Sequence, residues 1–185
     1  QELVRWMSVS GEGIETVTSY DETTEKTQIK TNEEQTAIIS SSIVNNYEAT
    51  LNDVVIVGRI PFVGNKDGNG NDLGTNFDAV LQTAIATNGV IADVYYSEDG
   101  MAEDSSESWS QDTTDMSKYK SYKIVVREKN LAKGERLNFE YNLTIPSTVG
   151  NNAKGYANYV VYYKIDTQNY SSQCSVGMFT EEKEI

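Results

Sequence analysis

The sequence predicts an all-β chain folded as an Ig-like antiparallel sandwich of two sheets. Three observations predict it. Residues 137–145 alternate apolar and polar side chains without a break. Short runs rich in Val, Ile, Thr and Tyr recur between polar turns. No segment keeps a helical period for more than a few residues. In the first of these, Leu137, Phe139, Tyr141, Leu143 and Ile145 fall on one face. A period of two makes that face the buried one. Pro146 ends the strand because it cannot donate to a ladder.

The other elements follow in order. Residues 1–34 alternate weakly at Leu3, Arg5, Met7 and Val9, then at Ile14 and Val17. They read as leading strands or as the tail of a preceding module, with the sandwich domain over 35–185. Ala37, Ile39, Ser41 and Ile43 share one face of a strand running to Asn45-Asn46. Residues 54–60 are nearly all apolar, as in a strand covered on both faces. Residues 77–87 and 90–96 flank Asn88-Gly89, which favours a type I′ hairpin because both central residues need positive φ. The spacing of Phe77, Leu81, Ala84 and Ile85 also admits one short helix. Residues 97–117 are acidic and Ser-rich and read as a long exposed loop carrying Trp109. Residues 119–127 form a strand, and residues 159–165 a central one. Cys174, Val176 and Met178 alternate near the end. The expected total is about seven to nine strands.

Composition excludes several classes. The chain carries 15 basic and 28 acidic side chains, a net charge of −13. Phosphate contacts need clustered Lys and Arg, so nucleic acid is not an expected partner, nor is an anionic membrane surface. Mean hydropathy is −0.51, and no apolar run approaches the roughly 18 residues of a spanning helix. No membrane insertion by this segment is expected. Gln1 opens the chain without a basic or apolar leader, so any export signal or anchor is expected outside this segment. Histidine is absent and Cys174 is the single cysteine. That removes an internal disulfide, the commonest general base and the commonest transition-metal ligand.

Residues 45–61 run from Asn45-Asn46 through Leu51-Asn52-Asp53-Val54-Val55-Ile56-Val57 to Ile60-Pro61. This stretch resembles the conserved Ig-like repeat of Gram-positive cell-wall-anchored surface proteins. In that family a strand ending in Asn leads through a polar turn to a Leu-x-x-Val-x-Val strand closed by Ile-Pro or Leu-Pro. Residues 131–146, with Gly134-Glu135, the alternating strand and Ile145-Pro146, are similar to a second motif of the family. Residues 157–163 resemble the strand that follows. The likeness runs from about residue 35 to 180 and departs at Gly58-Arg59, where an acidic-Thr pair is common. The resemblance implies a secreted, extracellular module at the bacterial cell surface, strung in tandem as stalk or adhesin. Its partners would be neighbouring modules of the same protein and a host protein or polysaccharide. It brings no family-wide catalytic residues.

Few residues point to chemistry. Asn65-x-Asp67-x-Asn69-Gly70 matches the first half of a calcium loop, with oxygen ligands at alternate positions and then a turn glycine. The second half departs from the pattern: Asp72 stands where an apolar residue belongs and Asn76 where a bidentate Glu belongs. An inter-strand turn is the first reading and calcium the alternative; no other cofactor is expected. Ten of the twelve tyrosines lie between Tyr95 and Tyr170. Strand packing explains them first, and an exposed row for stacking on sugar rings second. Trp109 is the best single ligand-contact candidate, because nothing near it in sequence explains its burial. Glu103, Asp104 and Glu107 lie in a loop, without the rigid placement that catalytic carboxylates need. A Ser-His-Asp triad is impossible without histidine. Lys26 or Lys30 could meet Asn158 or Asn169 in an internal amide crosslink; surface placement of the lysines is the first reading.

Two functions remain: a structural or adhesive surface module without catalysis, or an accessory carbohydrate-binding module of a secreted hydrolase. They differ in whether Trp109, Tyr95, Tyr119 and Tyr122 share an exposed patch.

Overall fold

Each odd residue from Leu137 to Ile145 is buried, and each intervening one is more exposed. The computed structural model describes residues 2–20 and 24–180. Among these residues, twelve strands form two six-stranded sheets packed face to face. The first sheet holds β1 (Leu3–Gly11), β2 (Ile14–Tyr20), β4 (Gln35–Asn45), β6 (Val80–Leu81), β7 (Ala86–Gly89) and β10 (Arg136–Ile145). Its order is β2-β1-β4-β10-β6, with β7 also on β10. The second holds β3 (Thr24–Ile29), β5 (Asn52–Arg59), β8 (Ala92–Ser97), β9 (Ser121–Val126), β11 (Lys154–Ile165) and β12 (Gln168–Thr180). Its order is β3-β12-β11-β5-β9-β8, so β11 is central, as its two apolar faces require. The fold is the Ig-like two-sheet sandwich that the alternation predicts.

The twelve strands exceed the seven to nine expected, because β1 to β3 join the two sheets and the short β6 and β7 count separately. Three further details differ from the sequence reading. First, Asn88-Gly89 is not a hairpin turn. Residues 86–89 pair with β10 in the first sheet, whereas residues 92–97 pair with β9 in the second. The dipeptide ends a strand that then crosses between sheets, because longer ladders on both sides outweigh a two-residue turn. Second, residues 77–85 contain the two-residue strand β6 and irregular backbone, with no helix. Third, β3 runs parallel to β12. After β2 the chain leaves the first sheet and enters the second from its edge, and that route reverses the sense a hairpin would give. Residues 3–29 supply strands to both sheets; β1 pairs with β4 from Leu3 to Ser10.

The core lies between the sheets. Phe139 meets Tyr159 and Tyr122 at centroid distances of 5.4 and 5.9 Å, and Tyr122 meets Tyr141 at 5.4 Å. Burial pushes the Tyr122, Tyr141 and Tyr159 phenols above their ordinary pKa. Gly58 explains how β5 fits beside this cluster. A Cβ there would sit 2.0 Å from Cζ of Tyr122, so the ring occupies space that any side chain would take. Cys174 is buried without a disulfide, and its thiol donates to the Ser19 carbonyl.

Candidate functional site

The site is built on the outer face of the second sheet. Strand alternation turns Val55 and Val57 of β5, Lys123 and Val125 of β9, and Val160 and Tyr162 of β11 outward. A solvated face would carry polar residues at these positions. Here four are valine, because two long connections, residues 60–79 and 98–120, come back over this face.

Each connection is pinned by one side chain rising from the sheet. Gln173 Oε1 accepts from the Gly68 amide at 2.7 Å and from Asn158 Nδ2 at 3.4 Å. Gly68 lies so close to the floor that a Cβ would come 2.6 Å from Val160 Cγ2. On the other side, the Lys123 ammonium lies 3.2 Å from the Asp104 carboxylate and donates to the Asp104 carbonyl at 3.1 Å. The same ammonium sits 5.4 Å from the Tyr95 ring centroid and 5.3 Å from that of Trp109. Trp109 Nε1 donates to the Glu103 carbonyl at 2.9 Å. The acidic loop is thus clamped to the sheet by one cation between two rings.

Two hollows of about 260 and 490 Å³ are both lined by Tyr162: the smaller lies between the pinned loops, the larger between Asp104 and the start of β12. Among the described residues, six large hydrophobic side chains are exposed, and three of them, Met101, Tyr162 and Tyr170, border these hollows. The face is therefore an open trench with an apolar floor. A further hollow of about 580 Å³ is more open and lies at the sheet edge beside Ile91, where Arg127 is tied to Asp93 at 2.7 Å.

Arg59 stands at one end of the trench. Its guanidinium reaches only the Gly58 carbonyl, at 3.5 Å, and pairs with no carboxylate among the described residues. Burial lowers its pKa, and Tyr162, Asp99 and Glu103 act in the opposite sense. Burial likewise raises the Tyr162 phenol, against the pull of Arg59. The carboxylates beside the trench are mostly engaged: Asp104 with Lys123 and Asp53 with Lys164, at 3.2 and 3.6 Å.

The residues of the half calcium loop are not brought together. Asn65 is fully buried and points away from the loop, its Nδ2 donating to the Ile60 and Tyr156 carbonyls at 3.2 and 2.7 Å. Asp67 Oδ1 accepts from the Asn69 and Asn71 amides at 2.8 and 3.0 Å, an Asx turn at the tip of the loop. Asn69 is exposed there. Among the described residues no three acidic or Cys side chains cluster to hold a metal. The four aromatics separate into pairs. Trp109 and Tyr95 are half-buried in the Lys123 clamp, whereas Tyr119 and Tyr122 are in the core. Lys26 and Lys30 are exposed, and Asn158 is buried with its amide donating to the Cys174 carbonyl. Sequence reasoning missed Arg59, Lys123, Tyr162, Gln173 and Met101. The available signal was valine at outward positions of three strands, which marks a face covered by something other than water.

No family model matches the chain, and no curated protein matches it. Solved structures do. A protein from Corynebacterium diphtheriae described as membrane-anchored superposes with a TM-score of 0.50 at 11% identity, covering 99% of this chain. This chain spans only 36% of that protein's length. The MSCRAMM ACE of Enterococcus faecalis matches with a TM-score of 0.43 at 12% identity, over 80% of this chain and 47% of its own. A family 20 exo-β-N-acetylglucosaminidase from Vibrio harveyi matches at 0.39 and 9% identity, over 100% and 19%. The first of these shares the overall sandwich. Fold and site together define an Ig-like β-sandwich with one outer face framed by loops.

Proposed function

We propose that this chain is a non-catalytic structural and adhesive module of a Gram-positive bacterial surface protein, with the trench on the second sheet as its contact face. The observation that supports it most is the concentration of exposed Met101, Tyr162 and Tyr170 along one framed face. Exposed apolar side chains gathered in one place mark a contact surface. The likeness to a membrane-anchored protein and the resemblance to wall-anchored repeats support the surface location. Neighbouring modules, and a host protein or polysaccharide, are the partners of this reading. Turnover would need an acid and a base held free with separated pKa values, and two of the carboxylates beside the trench, Asp104 and Asp67, are taken up by Lys123 and by turn amides instead. No cofactor takes part.

The test is adhesion of beads carrying the whole chain to panels of matrix proteins and glycans. The double variant Met101→Ser/Tyr162→Ala should lose at least about tenfold in adhesion, because both side chains are exposed anchors. Ser40→Glu, on the other sheet, should leave adhesion unchanged. Adhesion to nothing in the panels, or adhesion indifferent to the double variant, overturns the reading. So does hydrolysis of a panel glycan that Glu103→Gln abolishes.

A further inference from the structure

Arg59 is out of keeping with its surroundings. The chain has 28 acidic side chains against 15 basic ones, yet this guanidinium stands partly buried with Asp99 and Glu103 acting on it only from beyond ion-pair distance, and no carboxylate among the described residues pairs with it. Lys123, Arg127, Lys133 and Lys164 each pair with an acid. An arginine withdrawn from water keeps its preference for a planar, two-oxygen anion, which it meets with two parallel N–H donors.

The hollow around it narrows the ligand. Its volume, about 260 Å³, is below the roughly 300–1,000 Å³ of enclosed small-molecule sites, so it suits the end of a ligand. Tyr162, 41% exposed, offers a ring face at the same hollow. Aromatic faces match the C–H faces of sugar rings, and the phenol adds a polar tip. An extended peptide is less well served. The floor is the middle of a sheet, where β5 and β11 have already spent their main-chain groups on each other and on β9 and β12, so no edge is open to it. Charge narrows the ligand again. Glu103 and Asp67 stand at the rim, and the whole chain carries −13, so a second anion nearby would be repelled. At physiological salt the distant charges are screened beyond about 8 Å, whereas a partly buried ion pair with Arg59 is screened much less and weakens only as salt is raised further.

We propose that this end of the trench binds the terminal carboxylated sugar of an otherwise neutral glycan, with Arg59 as ion-pair partner and Tyr162 as ring platform. The proposal rests on the contact-face reading above and names its ligand.

Calorimetric titration of the whole chain with sialyllactose, lactose and a blocked peptide bearing one Glu tests it. Sialyllactose should bind at least about tenfold more tightly than lactose, and the difference should shrink as salt is raised. Arg59→Gln should erase the difference, while Lys133→Gln, remote from the trench, should leave it intact. Arg59→Lys keeps the charge without the fork and should retain only part of it. In the unaltered chain the Gly68 and Tyr162 amide resonances should shift on titration, a readout that needs no variant to fold. Equal binding of the two sugars, no binding of either, or indifference to Arg59→Gln overturns the proposal; binding of the peptide alone hands the trench to polypeptide. Bead adhesion that survives Arg59→Gln but not Tyr162→Ala sinks the carboxylate and spares the module. Adhesion indifferent to both sinks the module reading as well.

Discussion

The two outer faces of the sandwich are made in opposite ways. On the first sheet, Ser40 and Ser42 of β4 lie opposite Glu140 and Asn138 of β10, and the pairs bond each other at 3.1 and 2.6 Å. Serine hydroxyls thus donate to a carboxylate and an amide across the strands, beside Val4, Trp6, Ile38 and Val44 on the same face. On the second sheet the outward positions are valines, a tyrosine, a lysine and an arginine, overlaid by two long connections held by Gln173 and Lys123. One face is finished by its strands alone. The other is finished by chain that returns to it from elsewhere, and only that one becomes a trench. Recognition surfaces on rigid sheets arise where loops fold back, since loops vary without disturbing the ladder.

Three perturbations test this contrast. The largest acts below both faces. Phe139→Ala removes a ring that touches Tyr122 and Tyr159 of the opposite sheet, and should cost about 3–5 kcal/mol in urea unfolding. Amide exchange should rise in both sheets together; a change confined to one would mean that the faces do not share a core. Next, Lys123→Met keeps the stem and removes the charge from between Tyr95 and Trp109. Global stability should fall by about 1 kcal/mol, discounted because Asp104 is largely exposed. Exchange protection around Trp109 should drop while that of Ser40 and Ser42 does not change. Unaltered protection would show that the loop holds itself. The smallest is Asp67→Ala. It removes an Asx turn at the loop tip and should cost about 0.5–1.5 kcal/mol. The melting shift should be the same with calcium as with chelator, and a loss seen only with calcium would restore the metal reading.

The sequence discloses these two faces unequally, and for a physical reason. Alternation is a local property, so residues 137–145, 37–43 and 174–178 reveal their buried sides directly, and the all-β sandwich follows from them. Partner choice is not local. Nothing in Asn88-Gly89 tells whether the next strand pairs with β7 or with a strand of the other sheet. The parallel β3 is hidden for the same reason. The trench is hidden twice over. Trp109 could be singled out as unusual, but its neighbours Lys123 and Tyr95 come from two other segments. Asn65 and Asp67 look alike in the sequence, yet one side chain fills the core and the other caps a turn.

The placement of Leu3 and Thr180 at opposite ends of the sandwich has a mechanical consequence. Leu3 opens β1 opposite Asn45, at the end of the sandwich where β10 begins. Thr180 closes β12 beside Ile29, and its amide donates to the Ala153 carbonyl near the far end, where Asn32 and Val149 are joined. Tension applied at these two points therefore pulls along the strands. β1 would have to slide past β4, and β12 past β11 and β3, with their rows of hydrogen bonds strained together and not opened one at a time. Forced unfolding is governed by the height of the unfolding barrier, so pulling at Leu3 and Thr180 meets shear of whole ladders and not peeling of single bonds.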